Sequence, residues 1–345
     1  MKALVLEEKK ILNFREYPIS ETVGPEDVKI AIKACGICGS DVHYFTEGRI
    51  GDFVVTTPMI LGHESSGIVV EVGANVNKLK KGDRVCMEPG IPDFKSIETL
   101  KGMYNLDPAV RFWATPPIHG CLRETVVHPA NLTFKLPDNV SFHEGALVEP
   151  VAIGVWAAKK ARIAPGDTAL VIGGGTIGIV TALAAESSGC SKVYIADIKK
   201  GKLEFIDQYY KGKLETIDLN HTDIGSYFSG KGIGGVDIVF EASGSTKVYE
   251  RICNYLVSGG RMVLIGMPSG TVPLDIVAMQ AKEISIETIF RYVNIYPLVI
   301  KMIASEKLNV KPLVTKCYPF TESVAAFDYA ATMPEKDVKI MIDLA

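Results

Sequence analysis

The sequence predicts an α/β protein of two domains, in which an antiparallel β domain is followed by a doubly wound parallel sheet. The chain has 345 residues, well above the roughly 150 residues of an ordinary domain. Up to Glu149, short β-rich runs are separated by Gly, Pro and Asp turns, which is typical of antiparallel sheets. Beyond Glu149, apolar strands alternate with apolar helices, which is the rhythm of a parallel βαβ sheet.

Each domain is predicted from particular segments. In the first, the β-rich runs include residues 27–32 and 66–72. In the second, the apolar pattern predicts a strand at 168–172, a helix at 176–188, a strand at 192–197, a helix at 199–210, and strands at 236–241 and 261–265. The chain loses this rhythm from about Tyr292, and we expect it to pack back on the first domain. We therefore assign residues 1–150 and 293–345 to the β domain and residues 151–292 to the parallel-sheet domain.

Composition narrows the class of partner. Hydrophobic residues make up 47% and charged residues 22%, and the net charge is −3 with no basic block. These values argue against a nucleic-acid or membrane partner and favour a small-molecule substrate. The start lacks the apolar core of a signal peptide, no segment is apolar enough to span a membrane, and the seven cysteines are scattered. We therefore expect a cytoplasmic protein with reduced thiols.

A glycine-rich turn lies at the start of the second domain. Residues Gly173 to Gly178 fit G-x-G-x-x-G between an apolar strand and an apolar helix. Gly173 would make the tight turn, Gly175 would let the backbone approach a pyrophosphate, and Gly178 would let the helix press on the sheet. A glycine triplet alone more often marks a structural turn, but the next strand ends in Asp197, where a ribose ligand belongs. The combination predicts a dinucleotide site.

Asp197 also predicts which dinucleotide binds. Its carboxylate can accept hydrogen bonds from both adenosine-ribose hydroxyls, whereas the 2′-phosphate of NADP would meet a like charge. Because that repulsion is worth about 1–4 kcal/mol, we expect NAD. Lys199, Lys200 and Lys202 follow closely, and they form either a solvated helix start, which we prefer, or a phosphate-binding group.

Three short segments of the first domain offer metal ligands. Cys38 lies in a glycine-flanked loop, His63 and Glu64 are adjacent, and Glu149 adds a carboxylate where the domain ends. Each alone would more often be a core or surface residue. Cysteine, histidine and carboxylate together are the ligands of a catalytic zinc that keeps one position open for substrate. Their occurrence upstream of a dinucleotide fold therefore predicts a zinc site.

Over nearly its full length the chain resembles the zinc-dependent medium-chain dehydrogenases, specifically their polyol branch of sorbitol and xylitol dehydrogenases. The resemblance is carried, in order, by residues 36–44, 61–64, 82–85, 88–90, 114–117, 149–150 and 290–292. Residues 104–120 look most like bacterial NAD-dependent xylitol dehydrogenases. The resemblance implies a GroES-like catalytic domain, a Rossmann cofactor domain, and oxidation of a secondary hydroxyl of xylitol to D-xylulose with hydride transfer to NAD.

The resemblance also implies a role for each matching position. The zinc ligands would be Cys38, His63 and Glu64, with Glu149 either ligating the metal or holding a zinc-bound water. Ser40 and His43 match a proton relay, which acts with Glu64 and Glu149 in catalysis. The positions that line the polyol pocket are Tyr44, Phe112, Thr115, Arg291 and Tyr292. The cofactor positions are Gly173, Gly175, Thr176, Ile177, Gly178, Asp197, Lys202, Ala242, Ser243, Ile265, Gly266, Met267, Ile289 and Phe290.

One feature departs from the family pattern. Many relatives hold a structural zinc with four cysteines, whereas the aligned positions here are Asp93, Ser96, Thr99 and Asp107. We therefore expect one catalytic zinc per subunit and no structural zinc. The resemblance further implies a homotetramer.

The sequence is also compatible with other functions. A zincless reductase or a non-catalytic cofactor-binding protein could share this fold. Cys35 and Cys38 also fit C-x-x-C, which could indicate a redox or metal-relay protein. They follow a β-rich run and no second C-x-x-C completes a site, so we expect Cys35 to be buried and inert. Within the enzyme class, sorbitol, L-arabinitol and threonine dehydrogenases are alternatives, because sequence does not fix substrate length or stereochemistry.

Overall fold

The computed structural model describes residues 1–344, which form two compact units. The first comprises residues 1–149 with the chain from Tyr296 onward, and the second comprises Pro150–Ile295. The domain limits expected after residues 150 and 292 lie one and three residues from these boundaries. None of the helices formed by residues 1–344 has the length and apolarity required of a membrane span.

The first unit begins with a run of short strands, as its turn-rich sequence predicts. Its strands are β1 (Lys2–Glu8), β2 (Ile11–Glu16), β3 (Asp27–Gly36), β4 (Arg49–Ile50), β5 (Phe53–Val54), β6 (Met59–Ile60), β7 (Glu64–Val72), β8 (Arg84–Met87), β9 (Gly90–Ile91), β10 (Arg111–Phe112), β11 (Thr125–Pro129) and β12 (Thr133–Lys135). Its helices are α1 (Gly39–Glu47) and α2 (Ile97–Leu100), and α3 (Phe142–Lys160) carries the chain across the unit boundary.

The second unit is a six-stranded parallel sheet with connecting helices. Its strands are β13 (Thr168–Ile172), β14 (Lys192–Asp197), β15 (Leu214–Asp218), β16 (Val236–Glu241), β17 (Leu256–Leu264) and β18 (Ser285–Thr288). Its helices are α4 (Thr176–Ser187), α5 (Lys200–Tyr210), α6 (Ile224–Gly230) and α7 (Ile276–Ala281).

The strand order of this sheet is β15-β14-β13-β16-β17-β18, with every neighbouring pair parallel. This is the doubly wound order, in which the direction of winding reverses between β13 and β16. Parallel strands are covered on both faces, which explains the continuous apolar runs of these strands in the sequence. Strand β13, for example, is buried along almost its whole length. The predicted strand at 261–265 is wrong at its start, since β17 begins at Leu256.

The end of the chain completes the first unit with helices α8 (Tyr296–Ala304) and α9 (Ser323–Ala331) and strands β19 (Val314–Pro319) and β20 (Lys339–Asp343). The last strand pairs antiparallel with β3, so the tail forms part of the first unit. The sheet runs β12-β8-β7-β3-β20-β19, and β11 also pairs with β3. Residues more than 300 positions apart therefore share one sheet.

Candidate active site

A buried cluster of metal-ligating side chains lies in the first unit. Cys38, His63 and Glu64 each offer a ligand atom, and these atoms all lie within 4.8 Å of one another. Cys38 caps the N-terminus of α1, while His63 and Glu64 lie where the chain enters β7. Glu64 is opposite Gly36 at the end of β3, where an added Cβ would lie 2.2 Å from the Glu64 carboxylate. The sheet register therefore brings the predicted donors together.

Asp41 links the two loops that carry these donors. It is fully buried, and its carboxylate accepts hydrogen bonds from the backbone N–H groups of Cys38 at 3.3 Å and Gly62 at 3.1 Å. Its Oδ1 also lies 3.5 Å from Nδ1 of His63. A carboxylate beside one ring nitrogen orients an imidazole so that the other nitrogen can face a metal. Sequence analysis missed this role, although an acid three residues into a helix is a recognisable partner for its N-terminus.

The charge environment of His63 follows from the same geometry. Burial lowers its pKa, but the neighbouring Asp41 and Cys38 outweigh burial and hold the pKa well above its usual value. A concentration of negative charge around a buried imidazole is the environment in which a divalent cation is favoured. The cluster is therefore chemically suited to a metal as well as geometrically compact.

Lys339 on β20 supplies the positive charge that balances Glu64. Its Nζ lies 2.8 Å from both carboxylate oxygens of Glu64 and donates to the backbone carbonyl of Ile37 at 3.1 Å. The two side chains are 4% and 1% exposed, so this is a buried ion pair. Burial lowers the pKa of Lys339, but the charge of Glu64 outweighs that effect and raises it. Sequence analysis missed Lys339, since 275 residues separate it from Glu64.

Glu149 is buried but is not one of the three residues whose ligand atoms converge. Its charge nevertheless contributes to the raised pKa of Lys339. It also adds to burial in raising the pKa of Glu88 to about 7, against the effect of a hydrogen bond from Tyr104. Glu149 therefore lies close enough to the cluster to act on it electrostatically.

The predicted relay residues share helix α1. Ser40 is half-buried and His43 is exposed, and their spacing of three residues places them on one face of the helix. Tyr44, on the next position, is buried. Ser40 and His43 therefore lie between the N-terminal end of the helix, at Cys38, and the solvent.

The other predicted pocket residues are divided between the units. Phe112 on β10 lies beside the metal cluster, with its ring centroid 5.5 Å from that of His63, and Thr115 follows in a turn whose backbone N–H donates to the Phe112 carbonyl. Arg291 and Tyr292 belong to the second unit, where the Arg291 guanidinium lies 4.8 Å over the ring of Phe290. The first unit thus contains Tyr44, Phe112 and Thr115, and Phe112 packs beside the donor His63.

The glycine turn has the geometry that its sequence predicts. Gly173 has φ of 110°, which favours glycine, and a Cβ at Gly178 would lie 1.7 Å from the Gly173 carbonyl oxygen. By contrast, a Cβ at Gly175 would meet no atom within 4 Å, so the turn leaves open space there. Thr176 and Ile177 then form the first turn of α4. Open space at a helix N-terminus is what a bound phosphate requires.

Asp197 at the end of β14 lies against this turn. Its carboxylate accepts hydrogen bonds from the backbone N–H of Gly174 and from that of Lys199 at 2.7 Å. The neighbouring Lys202 is buried within α5. The acid and the glycine turn are therefore held together before any ligand arrives.

Glu241 organises the remaining predicted cofactor positions. It is fully buried at the end of β16, and its carboxylate accepts from the backbone and hydroxyl of Ser243 and from the backbone of Gly244. A Cβ at Gly266 would lie 2.6 Å from the same carboxylate. The positions that follow the carboxyl ends of β16, β17 and β18 are Ala242, Ser243, Ile265, Gly266, Met267, Ile289 and Phe290. Sequence analysis identified these loops but not the acid that shapes them.

The lobe aligned with the structural-zinc site is held by hydrogen bonds. The buried Asp107 accepts from the backbone of Asp93 at 2.6 Å and of Ala109 at 2.9 Å. Ser96 caps α2 by accepting from the backbone of Thr99, and its hydroxyl donates to the Thr99 hydroxyl. The four positions therefore have polar partners within the lobe.

Cys35, the other cysteine of the C-x-x-C pattern, lies in a different environment from Cys38. Cys35 is fully buried, and its Sγ lies 3.6 Å from that of Cys121. Burial, with Cys121 next in importance, raises the pKa of Cys35 well above its usual value. A protonated, inaccessible thiol is unreactive. This geometry favours the inert role over a redox pair with Cys38.

Comparison with known proteins agrees with both units. Family models match residues 24–138 as an alcohol dehydrogenase GroES-like domain and residues 176–305 as a zinc-binding dehydrogenase. A D-xylulose reductase of Morganella morganii is 52% identical over 96% of this chain and 98% of its own length. A sorbitol dehydrogenase of Arabidopsis thaliana is 40% identical over 94% and 90%.

A solved structure extends the comparison to the fold. The crystal structure of 2R,3R-butanediol dehydrogenase from Bacillus subtilis superposes with a TM-score of 0.89 and 30% identity, covering 99% of each chain. Both family models, the full-length relatives and the arrangement of Cys38, His63 and Glu64 lead to one conclusion. This chain belongs to the zinc-binding, medium-chain alcohol dehydrogenase family.

Proposed function

We propose that the chain is an NAD-dependent zinc polyol dehydrogenase that oxidises a secondary hydroxyl of xylitol to give D-xylulose. The observation that carries the proposal is the buried cluster of Cys38, His63 and Glu64 in a chain 52% identical to a D-xylulose reductase. The donors fit zinc, because thiolate, imidazole and carboxylate are the mixed set that a catalytic site uses. When bound, zinc supplies a Lewis acid that makes a substrate hydroxyl more acidic.

The chain's own residues then have separable tasks. Asp41 holds the loops of Cys38 and His63 in register, and Lys339 keeps Glu64 in place. Ser40 and His43, on one face of α1, pass the hydroxyl proton toward solvent. Glu149 holds a water within this path. A relay that ends at the exposed His43 requires no base in the buried interior.

The cofactor site favours NAD. Asp197 presents its carboxylate beside the glycine turn, where ribose hydroxyls can donate to it and a 2′-phosphate would be repelled. Bound NAD would supply the acceptor for the hydride that leaves the carbinol carbon. Three further parts of the proposal have separate support. The reduced cysteines suit a cytoplasmic enzyme, and the family resemblance implies a homotetramer. Asp93, Ser96, Thr99 and Asp107 stand where relatives have four cysteines, which favours one catalytic zinc per subunit and no structural zinc.

The substrate assignment gives Arg291 and Tyr292 a role in binding the other hydroxyls of the polyol. A guanidinium offers several donors in a fixed plane, and a mono-alcohol has no second hydroxyl with which to use them. Removing Arg291 should therefore reduce kcat/KM for xylitol by about 2–4 kcal/mol of transition-state binding while changing that for a secondary mono-alcohol far less.

The decisive experiment compares xylitol, sorbitol, L-arabinitol, threonine and a secondary mono-alcohol with NAD and NADP, using the wild type and Arg291→Ala. We expect the highest kcat/KM for xylitol with NAD, and selective loss of polyol activity in the variant. A higher value for sorbitol would move the assignment to that branch, which a 40% identical relative represents. An equal fall for every substrate would give Arg291 a structural role and remove the residue-level reason for a polyol.

A further inference from the structure

A second cluster of metal-ligating side chains lies in the first unit, away from the residues assigned to catalysis. His143, Cys317 and Asp343 each offer a ligand atom, and these atoms all lie within 4.8 Å of one another. Nε2 of His143 is 2.6 Å from Oδ1 of Asp343. The proposed function uses none of these three residues, so this cluster is independent of it.

The fold brings three distant segments to this point. Cys317 on β19 is opposite Met341, and Asp343 on β20 is opposite Pro319. Since residues two apart on a strand share a face, Cys317 and Asp343 project on the same side of the sheet. The first turn of α3 lies over that sheet, where the Ser66 hydroxyl donates to the carbonyl of Phe142 at 2.6 Å. His143 is thereby placed beside Asp343.

The donor chemistry selects the class of ligand. A soft thiolate, an imidazole and a carboxylate form the mixed set that favours zinc and similar thiophilic cations over magnesium or calcium. Ligand atoms around tetrahedral zinc are about 3.3–3.8 Å apart. To hold an ion, the His143 and Asp343 ligand atoms, now 2.6 Å apart, would separate by about 1 Å and the Cys317 sulfur would approach by a similar distance, with water in the fourth position. An ordinary surface pair of histidine and aspartate lacks the thiolate that makes this set selective.

We propose that His143, Cys317 and Asp343 form a second binding site for a thiophilic divalent cation such as Zn²⁺ or Cd²⁺. The site binds more weakly than the Cys38 cluster, because His143 and Asp343 are 34% and 49% exposed and water competes for each ligand. An ion held there would tie the start of α3 to the last two strands. Binding to the folded state alone would then stabilise the protein against unfolding.

The test uses the zinc-loaded protein after exhaustive dialysis, so that the tightly held metal stays in place. Zn²⁺ is titrated by calorimetry, and a thiol reagent monitors Cys317, the exposed member of the seven cysteines. The variants are Cys317→Ser and His143→Ala. His221→Ala is the matched control, because His221 is also a solvent-accessible histidine beside an aspartate, Asp218, but no cysteine joins them in a metal-ligating cluster within residues 1–344.

We expect the wild type and His221→Ala to bind one further Zn²⁺ with micromolar affinity, and zinc to slow modification of Cys317 at least tenfold. Both cluster variants should lose at least tenfold in affinity for this added ion while retaining the dialysis-resistant metal. Absence of a saturable second binding event would overturn the proposal. So would unchanged binding in Cys317→Ser and His143→Ala, or thiol modification that zinc does not slow.

Discussion

Replacement of Lys339 by methionine removes the positive charge beside Glu64 while keeping a side chain of similar length. In the structure Nζ makes two 2.8 Å contacts with the Glu64 carboxylate and a third hydrogen bond with Ile37, all in the interior. The variant leaves a buried carboxylate without its counter-ion and one carbonyl without a donor. Loss of one partner from such a pair costs about 3–5 kcal/mol of folding free energy.

A bound cation changes this expectation. Zinc near Glu64 would replace the missing positive charge, so Lys339→Met should destabilise the metal-free protein more than the zinc-loaded protein. By the thermodynamic cycle, the difference equals a gain in zinc affinity in the variant. A difference of about 1.4–2.8 kcal/mol corresponds to binding that is about 10- to 100-fold tighter.

The assay is urea unfolding with a chelator and with buffered zinc, together with competition against a chromophoric chelator. Lys9→Met is the matched control, since Lys9 pairs with Glu47 at a site where both side chains are about half exposed. That pair should contribute no more than about 1 kcal/mol under either condition. Equal effects of the two substitutions, or a zinc affinity that falls in Lys339→Met, would refute the charge-replacement argument.

Three further expectations follow from other parts of the molecule. Exhaustively dialysed active protein should contain one zinc per subunit by elemental analysis, and two retained zincs would contradict this. Asp197→Ser should raise the ratio of kcat/KM for NADP to that for NAD at least about fivefold, the equivalent of about 1 kcal/mol of relieved repulsion; a wild type that already prefers NADP would exclude the assigned role. Burial lowers the pKa of His128 to about 3, so folding stability should fall as pH drops from about 6.5 toward 3, by about 2 kcal/mol at pH 5. Urea unfolding of His128→Gln, which does not titrate, should lack this loss, whereas parallel pH profiles for variant and wild type would disprove it.

The parts of the fold that sequence predicts are those specified locally. The strand of residues 168–172, the glycine turn and Asp197 lie within one βαβ segment, and apolar periodicity and turn chemistry suffice to place them. The end of the strand predicted at 261–265 was well placed, but its start was not. Its first half, including Gly259 and Gly260, has no apolar alternation, and the pairing of Leu256 with Val236 on β16 sets where the strand begins.

The metal cluster depends on the convergence of two separate segments, one with Cys38 and one with His63 and Glu64. The types of residue identified Cys38, His63 and Glu64, whereas their charge partners depend on register. Lys339 reaches Glu64 only because the final strand pairs with β3, and no pattern near position 339 indicates that pairing. Asp41 also accepts from the backbone N–H of Gly62, which becomes adjacent to it only after folding.

Lys339 and Asp41, which sequence analysis missed, both stabilise the buried metal-ligating residues. A catalytic metal site must keep an acidic ligand in place while the metal is absent, and an uncompensated buried carboxylate would destabilise the fold. Lys339 supplies that compensation for Glu64, and Asp41 holds the loops of Cys38 and His63 by hydrogen bonds from their own backbones. The site is therefore assembled by charges internal to the protein, and a cation would enter an arrangement that already exists. Preorganisation of this kind reduces the ordering cost of binding, because the protein has met that cost during folding.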